Sequence, residues 1–121
     1  MMNWTVVAAL DLAAAVMLGA FGAHGLKDRL SLDQLKWWET ATHYFFFHAL
    51  GLLVLSVMIR LYPALSLRIP AGLLQLGIVL FCGSLYVMAL GAPRWLGAVT
   101  PLGGLAFISA WLLLAWQART L

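Results

Sequence analysis

The chain has 121 residues, of which 64% are hydrophobic and only 9% are charged. Charged residues make up about a quarter of an ordinary soluble domain, so this composition excludes a soluble globule and predicts an integral membrane protein. The length suits a single transmembrane domain over residues 1–121. The net charge of +3 is small, and the basic residues stand singly at the ends of apolar runs, which argues against nucleic-acid binding.

The first apolar run extends from about residue 4 to residue 23 and is interrupted only by Asp11. A helix of that length measures about 30 Å, the thickness of a bilayer's hydrocarbon core. A cleavable signal peptide is the competing interpretation. It would begin with basic residues, which Met1-Met2-Asn3 lacks, and it would not carry an acidic residue at its centre. We therefore expect a membrane span.

The segment after this span is polar enough to leave the hydrocarbon core. Ser31 and Gln34 have the spacing of a capping box, which predicts a helix beginning near Ser31. Trp37 and Trp38 are residues typical of the headgroup level of a membrane. We expect a short interfacial helical segment in residues 31–42, between spans one and two. If this segment is continuous with span two, the helix would be about 48 Å long and would either project out of the hydrocarbon core or bend near residues 40–43.

Three further apolar runs predict spans at about residues 43–61, 69–90 and 101–118, and prolines or glycines mark several of their limits. Pro63 ends the second span, and Pro101 stands in the first helical turn, where proline is favoured. The sequence thus predicts an all-α fold, an integral membrane four-helix bundle. Four spans place both termini on one side, called side A. The connections after spans one and three lie on the other side, called side B.

Asp11 is the only acidic residue inside a predicted span. On a helix it shares a face with Ala15, Gly19 and Gly22, and small residues let helices approach closely. The carboxyl group should therefore face protein and not lipid. Counting along antiparallel spans places four polar side chains at its depth: Ser56, Gln75, Ser109 and Trp111. Two interpretations stand, a structural hydrogen bond that fixes helix register, or a group that handles protons or cations.

Several polar side chains near side B should lie at one depth. His24 ends span one, while Tyr44 and His48 share a face of span two because they are four residues apart. Tyr86 and Thr100 reach the same level from spans three and four. Unpaired polar groups at that depth cost about 1–3 kcal/mol each. We therefore predict one polar cluster of His24, His48, Tyr86 and Thr100 that opens toward side B, the best candidate binding site.

The histidines do not have the spacing of metal ligands. Metal sites usually need three or four ligands in fixed geometry, and the chain contains no HxxxH or CxxC pair. Haem ligation by His24 with His43 or His48 is a weaker alternative. We expect structural histidines, no metal and no cofactor. The single cysteine, Cys82, lies in an apolar run and is expected to act as a small buried hydrophobe.

Three glycines of the last two spans are predicted to serve helix packing. Gly77 lies in the apolar run of span three, and Gly103 and Gly104 lie in the first turn of span four. Glycine lets neighbouring backbones approach closely, so we expect close helix crossings at these positions.

Four sequence blocks carry a family resemblance: Gly19-Ala20-Phe21-Gly22-Ala23-His24-Gly25-Leu26, Tyr44 through His48-Ala49-Leu50, Phe81-x-Gly83-Ser84-Leu85-Tyr86 and Gly97-x-x-Thr100-Pro101-Leu102-Gly103-Gly104. With these blocks in this order, the chain resembles the domain of unknown function 423 family over nearly its whole length. Its members are small bacterial inner-membrane proteins, similar also to the eukaryotic transmembrane protein 256. The resemblance implies four membrane spans in a bacterial inner membrane, and it implies no biochemical activity.

Three functions fit these observations. The first is a non-enzymatic scaffold or accessory subunit in the lipid bilayer, which forms homo-oligomers or joins a larger membrane complex. The second is a small transporter or channel that uses Asp11 and the side-B histidines, and it needs an oligomer because four short spans enclose too little space. The third and weakest is a haem- or quinone-binding redox subunit that uses His24, His48 and Tyr86.

Overall fold

The computed structural model describes all 121 residues, and its regular elements are all helical. Four helical stretches are long and apolar enough to cross a membrane: Trp4–His24, Leu32–Leu61, Arg68–Ala89 and Arg94–Ala118. The predicted all-α, four-span architecture is thereby confirmed.

Helix α1, Trp4–His24, begins after Asn3, whose side-chain oxygen accepts hydrogen bonds from two backbone N–H groups of the first turn, at 3.1 and 3.3 Å. Its buried residues are Ala8, Ala15 and Gly22, seven residues apart along the sequence. This spacing places them on one stripe, which packs chiefly against the next helix. The small-residue face predicted for the first span is therefore a packing face.

Helix α2, Leu32–Leu61, begins with the predicted capping box. The Ser31 hydroxyl accepts a hydrogen bond from the backbone of Gln34 at 3.2 Å, and the Gln34 side chain accepts one from the backbone of Ser31 at 2.9 Å. The helix then continues unbroken to Leu61, because no proline or glycine interrupts it before Gly51. No separate interfacial helix between spans one and two is present.

Trp38 shows why this segment stays with the bundle. Its ring is only 4% exposed, and its indole N–H donates a hydrogen bond to the carbonyl oxygen of Leu18 at 2.9 Å. A Cβ at Gly22 would overlap the indole ring. The expectation that Trp38 is a headgroup anchor was therefore wrong, since the missing side chain of Gly22 provides a protein pocket for it.

The third span consists of α3, Arg68–Gly77, a π-helical turn, Ile78–Cys82, and α4, Gly83–Ala89. π-helical turns inside longer helices are rare and widen the helix by one residue. At this turn the third span meets the last helix, where a Cβ at Gly103 would overlap the backbone of Phe81. The widened turn and the glycine together bring two backbones into contact.

A short 3-10 turn, Arg94–Ala98, leads into α5, Thr100–Ala118. The Phe107 ring of α5 occupies the space that a side chain at Gly77 would fill. Gly77 and Gly103 thus both lie at close helix contacts. At Gly104 a Cβ would lie 3.9 Å from Phe81, an ordinary distance, so no close crossing occurs there.

The core of the molecule lies between α2, the third span and α5. Its largest fully buried side chains include Leu52, Leu55, Leu74 and Cys82. Helix α1 contacts chiefly α2, while α5 contacts chiefly the third span. Cys82 is 1% exposed, in agreement with its expected role as a small hydrophobe.

Candidate functional site

The intramembrane carboxyl group of Asp11 meets a single polar partner. Gln75 of α3 donates a hydrogen bond from its amide nitrogen to one Asp11 carboxyl oxygen at 3.3 Å. Gln75 is one of the four side chains expected at this depth. The second Asp11 oxygen, Oδ2, and the Gln75 oxygen, Oε1, are both buried and have no hydrogen-bond partner. The pair therefore leaves two acceptors without a donor.

The other three side chains expected at this depth do not contact Asp11. Ser56 accepts a hydrogen bond from the Thr5 hydroxyl at 3.0 Å and donates its own to the backbone of Leu53 at 2.6 Å. Ser109 and Trp111 lie on exposed parts of α5. The expectation for these three side chains was a depth shared with Asp11 and not a contact, because depth along a helix does not fix the direction in which a side chain points.

No basic side chain compensates Asp11. The seven lysines and arginines stand in loops or near helix ends, away from the centre of α1: Lys27, Arg29, Lys36, Arg60, Arg68, Arg94 and Arg119. Arg68 donates to the backbone oxygen of Met2 at 3.0 Å, at the side-A end. The electrostatic environment of Asp11 is therefore set by a neutral amide.

The polar cluster predicted near side B does not form. Tyr86 is hydrogen-bonded to the hydroxyl of Thr42 at 2.8 Å, and Thr100 to the hydroxyl of Ser84 at 2.5 Å. Tyr86 and Ser84 are two residues apart on α4 and so point to different neighbours, α2 and α5. His24 is exposed at the end of α1. One expected cluster is replaced by two separate pairs.

His48 has a structural environment. Its ring nitrogen Nδ1 is hydrogen-bonded to the backbone oxygen of Tyr44 at 2.8 Å, and its ring stacks on Phe107 with 3.6 Å between ring centroids. The Tyr44 ring lies parallel to it, at 5.8 Å. His48 is buried among aromatic rings while His24 is exposed, so the two do not face each other as haem ligands would. No group of three histidine, cysteine or acidic side chains is placed to hold a metal ion.

Sequence reasoning missed two of the residues that satisfy buried polar groups, Thr42 and Ser84. Thr42 both donates to the backbone oxygen of Trp38, at 3.0 Å, and bonds to Tyr86. Hydroxyl residues within helices commonly bond to a nearby backbone oxygen, but the side chain that each one meets on the neighbouring helix has no sequence signal.

One opening near side B lies between α1 and α2. It has a volume of about 310 Å³, and its walls combine the small residues of α1 with the first turns of α2. Glu39 and His43, one helical turn apart, are its ionisable groups. The lining residues are Gly19, Gly22, Ala23, Leu35, Trp38, Glu39, Thr42 and His43.

The sequence matches known proteins over most of its length. Residues 18–104 match the family model described as "Protein of unknown function (DUF423)". Gln75 lies within the matched residues and Asp11 lies before them. No solved structure matches the chain significantly.

Curated bacterial proteins are similar to the chain. A UPF0382 membrane protein of Staphylococcus epidermidis is 48% identical over 109 residues, which cover 90% of this chain and 88% of the relative. The UPF0382 membrane protein YwdK of Bacillus subtilis is 41% identical over 114 residues, covering 93% of each chain. The UPF0382 inner membrane protein YgdD of Escherichia coli is 38% identical over 109 residues, covering 90% of this chain and 83% of the relative.

Proposed function

We propose a function from one premise: the chain belongs to the DUF423 (UPF0382) family of small multi-pass proteins of the bacterial inner membrane. On that premise, the protein is a non-enzymatic scaffold or accessory subunit. It works by assembling with copies of itself or with a larger membrane complex.

The observation that carries this proposal is a second face of small residues on α1. Ala9, Ala13 and Ala20 are all exposed, on the side of the helix away from Ala8 and Ala15. A residue that faces only lipid gains nothing from being small, whereas small residues spaced four and seven apart are typical of helix–helix contacts in membranes. The exposed face supports contact with a helix from outside this chain.

The buried hydroxyl groups support a non-enzymatic role. The hydroxyl groups of Thr5 and Ser56 bond to each other, as do those of Thr42 and Tyr86, and those of Ser84 and Thr100. A catalytic hydroxyl needs an adjacent base to activate it. Each of these hydroxyls instead has another hydroxyl as its partner, which stabilises helix contacts.

The first turns of α2 are proposed to lie in the membrane interface at side B. The helix has 30 residues and measures about 45 Å, against about 30 Å for the hydrocarbon core. The Thr5 hydroxyl of α1 bonds to the Ser56 hydroxyl of α2, so α2 extends beyond α1 by about one helical turn at each end, including side B. The Arg94 guanidinium lies 5.7 Å from the centre of the Trp37 ring, which joins the two side-B connections. This surface would meet a partner from the aqueous phase.

The assembly is tested by the mass of the intact protein in mild detergent and in lipid nanodiscs. We expect a wild-type mass of more than one chain. Ala13→Leu should shift the assembly toward the single chain without lowering its thermal stability, because the residue faces outward. Ala115→Leu, a matched change on exposed α5, should leave the mass unchanged. A single-chain mass for the wild type in both media, with no partner retained from native membranes, would overturn the proposal.

The interfacial position is tested with a spin label at Lys36. We expect a water-soluble relaxation agent to reach this label and an apolar agent to reach a label at Val54, which is exposed on the same helix. A Lys36 label as well protected from water as the Val54 label would contradict the placement.

A further inference from the structure

The Asp11–Gln75 pair holds the two buried side-chain acceptors of the molecule that lack a partner. One hydrogen bond, at 3.3 Å, already joins the two groups. Each group is planar and carries two polar atoms at its end. With Nε2 of Gln75 bonded to Oδ1 of Asp11, the two remaining atoms, Oδ2 of Asp11 and Oε1 of Gln75, can lie opposite each other.

The chemistry of the two groups determines what completes the pair. An ionised carboxylate only accepts hydrogen bonds, and the oxygen of a carboxamide also only accepts. An ionised Asp11 would therefore leave two acceptors side by side in a buried position. Turning the amide over would direct Nε2 to Oδ2 and Oε1 to Oδ1, so two acceptors would still face each other. A protonated carboxyl group supplies the one donor that the pair lacks.

We propose that Asp11 and Gln75 form an intramembrane proton-binding site. The Asp11 carboxyl group binds one proton on Oδ2 and donates it in a hydrogen bond to Gln75 Oε1, while Gln75 Nε2 donates to Asp11 Oδ1. The product is an acid–amide pair with two parallel hydrogen bonds and no net charge. It links α1, which otherwise packs chiefly on α2, to α3.

The neighbouring groups favour a proton over a metal cation. Hard cations in proteins take six or more oxygen ligands, and this pair offers two free oxygens. The residues beside Asp11 on its buried face are Ala8 and Ala15, and those beside Gln75 are Ala71 and Leu74, all of them apolar and buried. None of these supplies an oxygen-bearing side chain.

The titratable groups around the pair are few. On the third span, Cys82 lies seven residues from Gln75. On α2, the ring of His48 is directed to Phe107 of α5. Helix α5 itself contains no titratable side chain. None of these groups is placed to donate a hydrogen bond to Asp11.

The sequence offers a direct measurement, because the chain contains only three aspartates: Asp11, Asp28 and Asp33. The full chain is prepared in lipid nanodiscs with ¹³C at the aspartate side-chain carboxyl carbon, and solid-state NMR distinguishes an un-ionised from an ionised carboxyl by its shift. At neutral pH we expect one un-ionised and two ionised signals. Asp11→Asn should remove the un-ionised signal, and the controls Asp28→Asn and Asp33→Asn should each remove an ionised one.

A second measurement uses thermal stability. Asparagine at position 11 can form the same two hydrogen bonds with Gln75 without a bound proton, so Asp11→Asn should melt within about 2 °C of the wild type. Asp11→Leu, of similar size, removes both hydrogen bonds and should lower the melting temperature more. An Asp11→Asn variant that melts as low as Asp11→Leu would contradict the pair.

Two NMR outcomes overturn the proposal. An ionised Asp11 signal at neutral pH that does not change with salt means that the pair binds neither a proton nor a cation. An ionised signal that shifts on addition of sodium or potassium chloride means that the site binds an alkali cation instead. Neither outcome depends on whether the protein forms an oligomer, so this site and the proposed assembly succeed or fail separately.

Discussion

At the scale of single residues, each buried polar side chain other than the Asp11–Gln75 pair has its hydrogen-bond partners within the protein. Tyr86 is a clear example, because its only hydrogen-bond partner is the Thr42 hydroxyl at 2.8 Å. Thr42 also bonds to the backbone of Trp38, so it keeps one partner if Tyr86 loses its hydroxyl. The contribution of this hydrogen bond can therefore be measured by removing the Tyr86 hydroxyl group alone.

Tyr86→Phe should lower the free energy of unfolding by about 1 kcal/mol, the usual net value of one hydrogen bond between helices. The ring itself remains packed edge-on against Trp38 at 4.6 Å. The measurement is equilibrium unfolding in detergent micelles. Tyr62→Phe, at the exposed end of α2, is the control and should have no effect. Equal losses for both variants would show that the bond to Thr42 contributes nothing.

The pocket for Trp38 depends on one absent side chain. A Cβ at Gly22 would overlap the indole ring, so Gly22→Ala should displace Trp38 and break its hydrogen bond to Leu18. The expected loss is about 1–3 kcal/mol, the range for overfilling a packed site. At Gly72, also within a helix, a Cβ would meet nothing within 4 Å. Gly72→Ala should therefore be neutral or stabilising, and a similar loss at both positions would contradict the pocket.

Residue pairing could be predicted from the sequence only in part. Depth along antiparallel spans identified Gln75 as a neighbour of Asp11, because the rise of a helix is regular. The same counting grouped Tyr86, Thr100 and His48 together, and it failed because the packing of the helices sets the direction of each side chain. Ser84 and Thr42, which take those hydrogen bonds, are found only when the neighbouring helix is known.

At the scale of helices, the π-helical turn Ile78–Cys82 is the most distinctive element. It faces Gly103 of α5, where the two backbones touch. The glycines pointed to a close crossing, and two of the three expected positions have one. The extra residue in the turn has no sequence signal, since Ile78 to Cys82 form an ordinary apolar run.

Gly103→Ala should destabilise the protein by about 1–3 kcal/mol, because the new methyl group meets backbone atoms that no rotamer change can move. Gly104→Ala is the matched control one residue along, where the new Cβ would have an ordinary contact at 3.9 Å. Thermal unfolding in nanodiscs compares the two. A Gly104→Ala variant less stable than Gly103→Ala would be incompatible with the crossing described.

The sequence correctly predicted how α2 begins, but it did not predict what the first turns of α2 pack against. The capping box at Ser31 was recognisable because both of its residues are close in sequence. The absence of proline and glycine from residues 31–50 also left a continuous helix open, whereas the contact between Trp38 and the backbone of α1 has no sequence signal. Local hydrogen bonds can be read from the chain, whereas contacts between helices require the assembled fold.

At the scale of the whole molecule, α2 and the third span form the centre, with α1 beside one and α5 beside the other. Composition and the lengths of apolar runs were sufficient to predict this four-span class. They could not predict the order of helix neighbours, because an apolar helix surface suits lipid and protein equally well.

Cys82 is the only cysteine of the chain, and it is 1% exposed at the centre of the bundle. Its thiol should therefore stay unmodified by a maleimide in the folded protein and react after denaturation. A cysteine introduced at Asp28 on side B, or at Ala64 on side A, becomes the only reactive thiol in an otherwise natural sequence. A membrane-impermeant maleimide applied to intact spheroplasts will label one of these two positions and spare the other. Because the only native thiol is buried, no cysteine has to be removed before this experiment determines which side faces the cytoplasm.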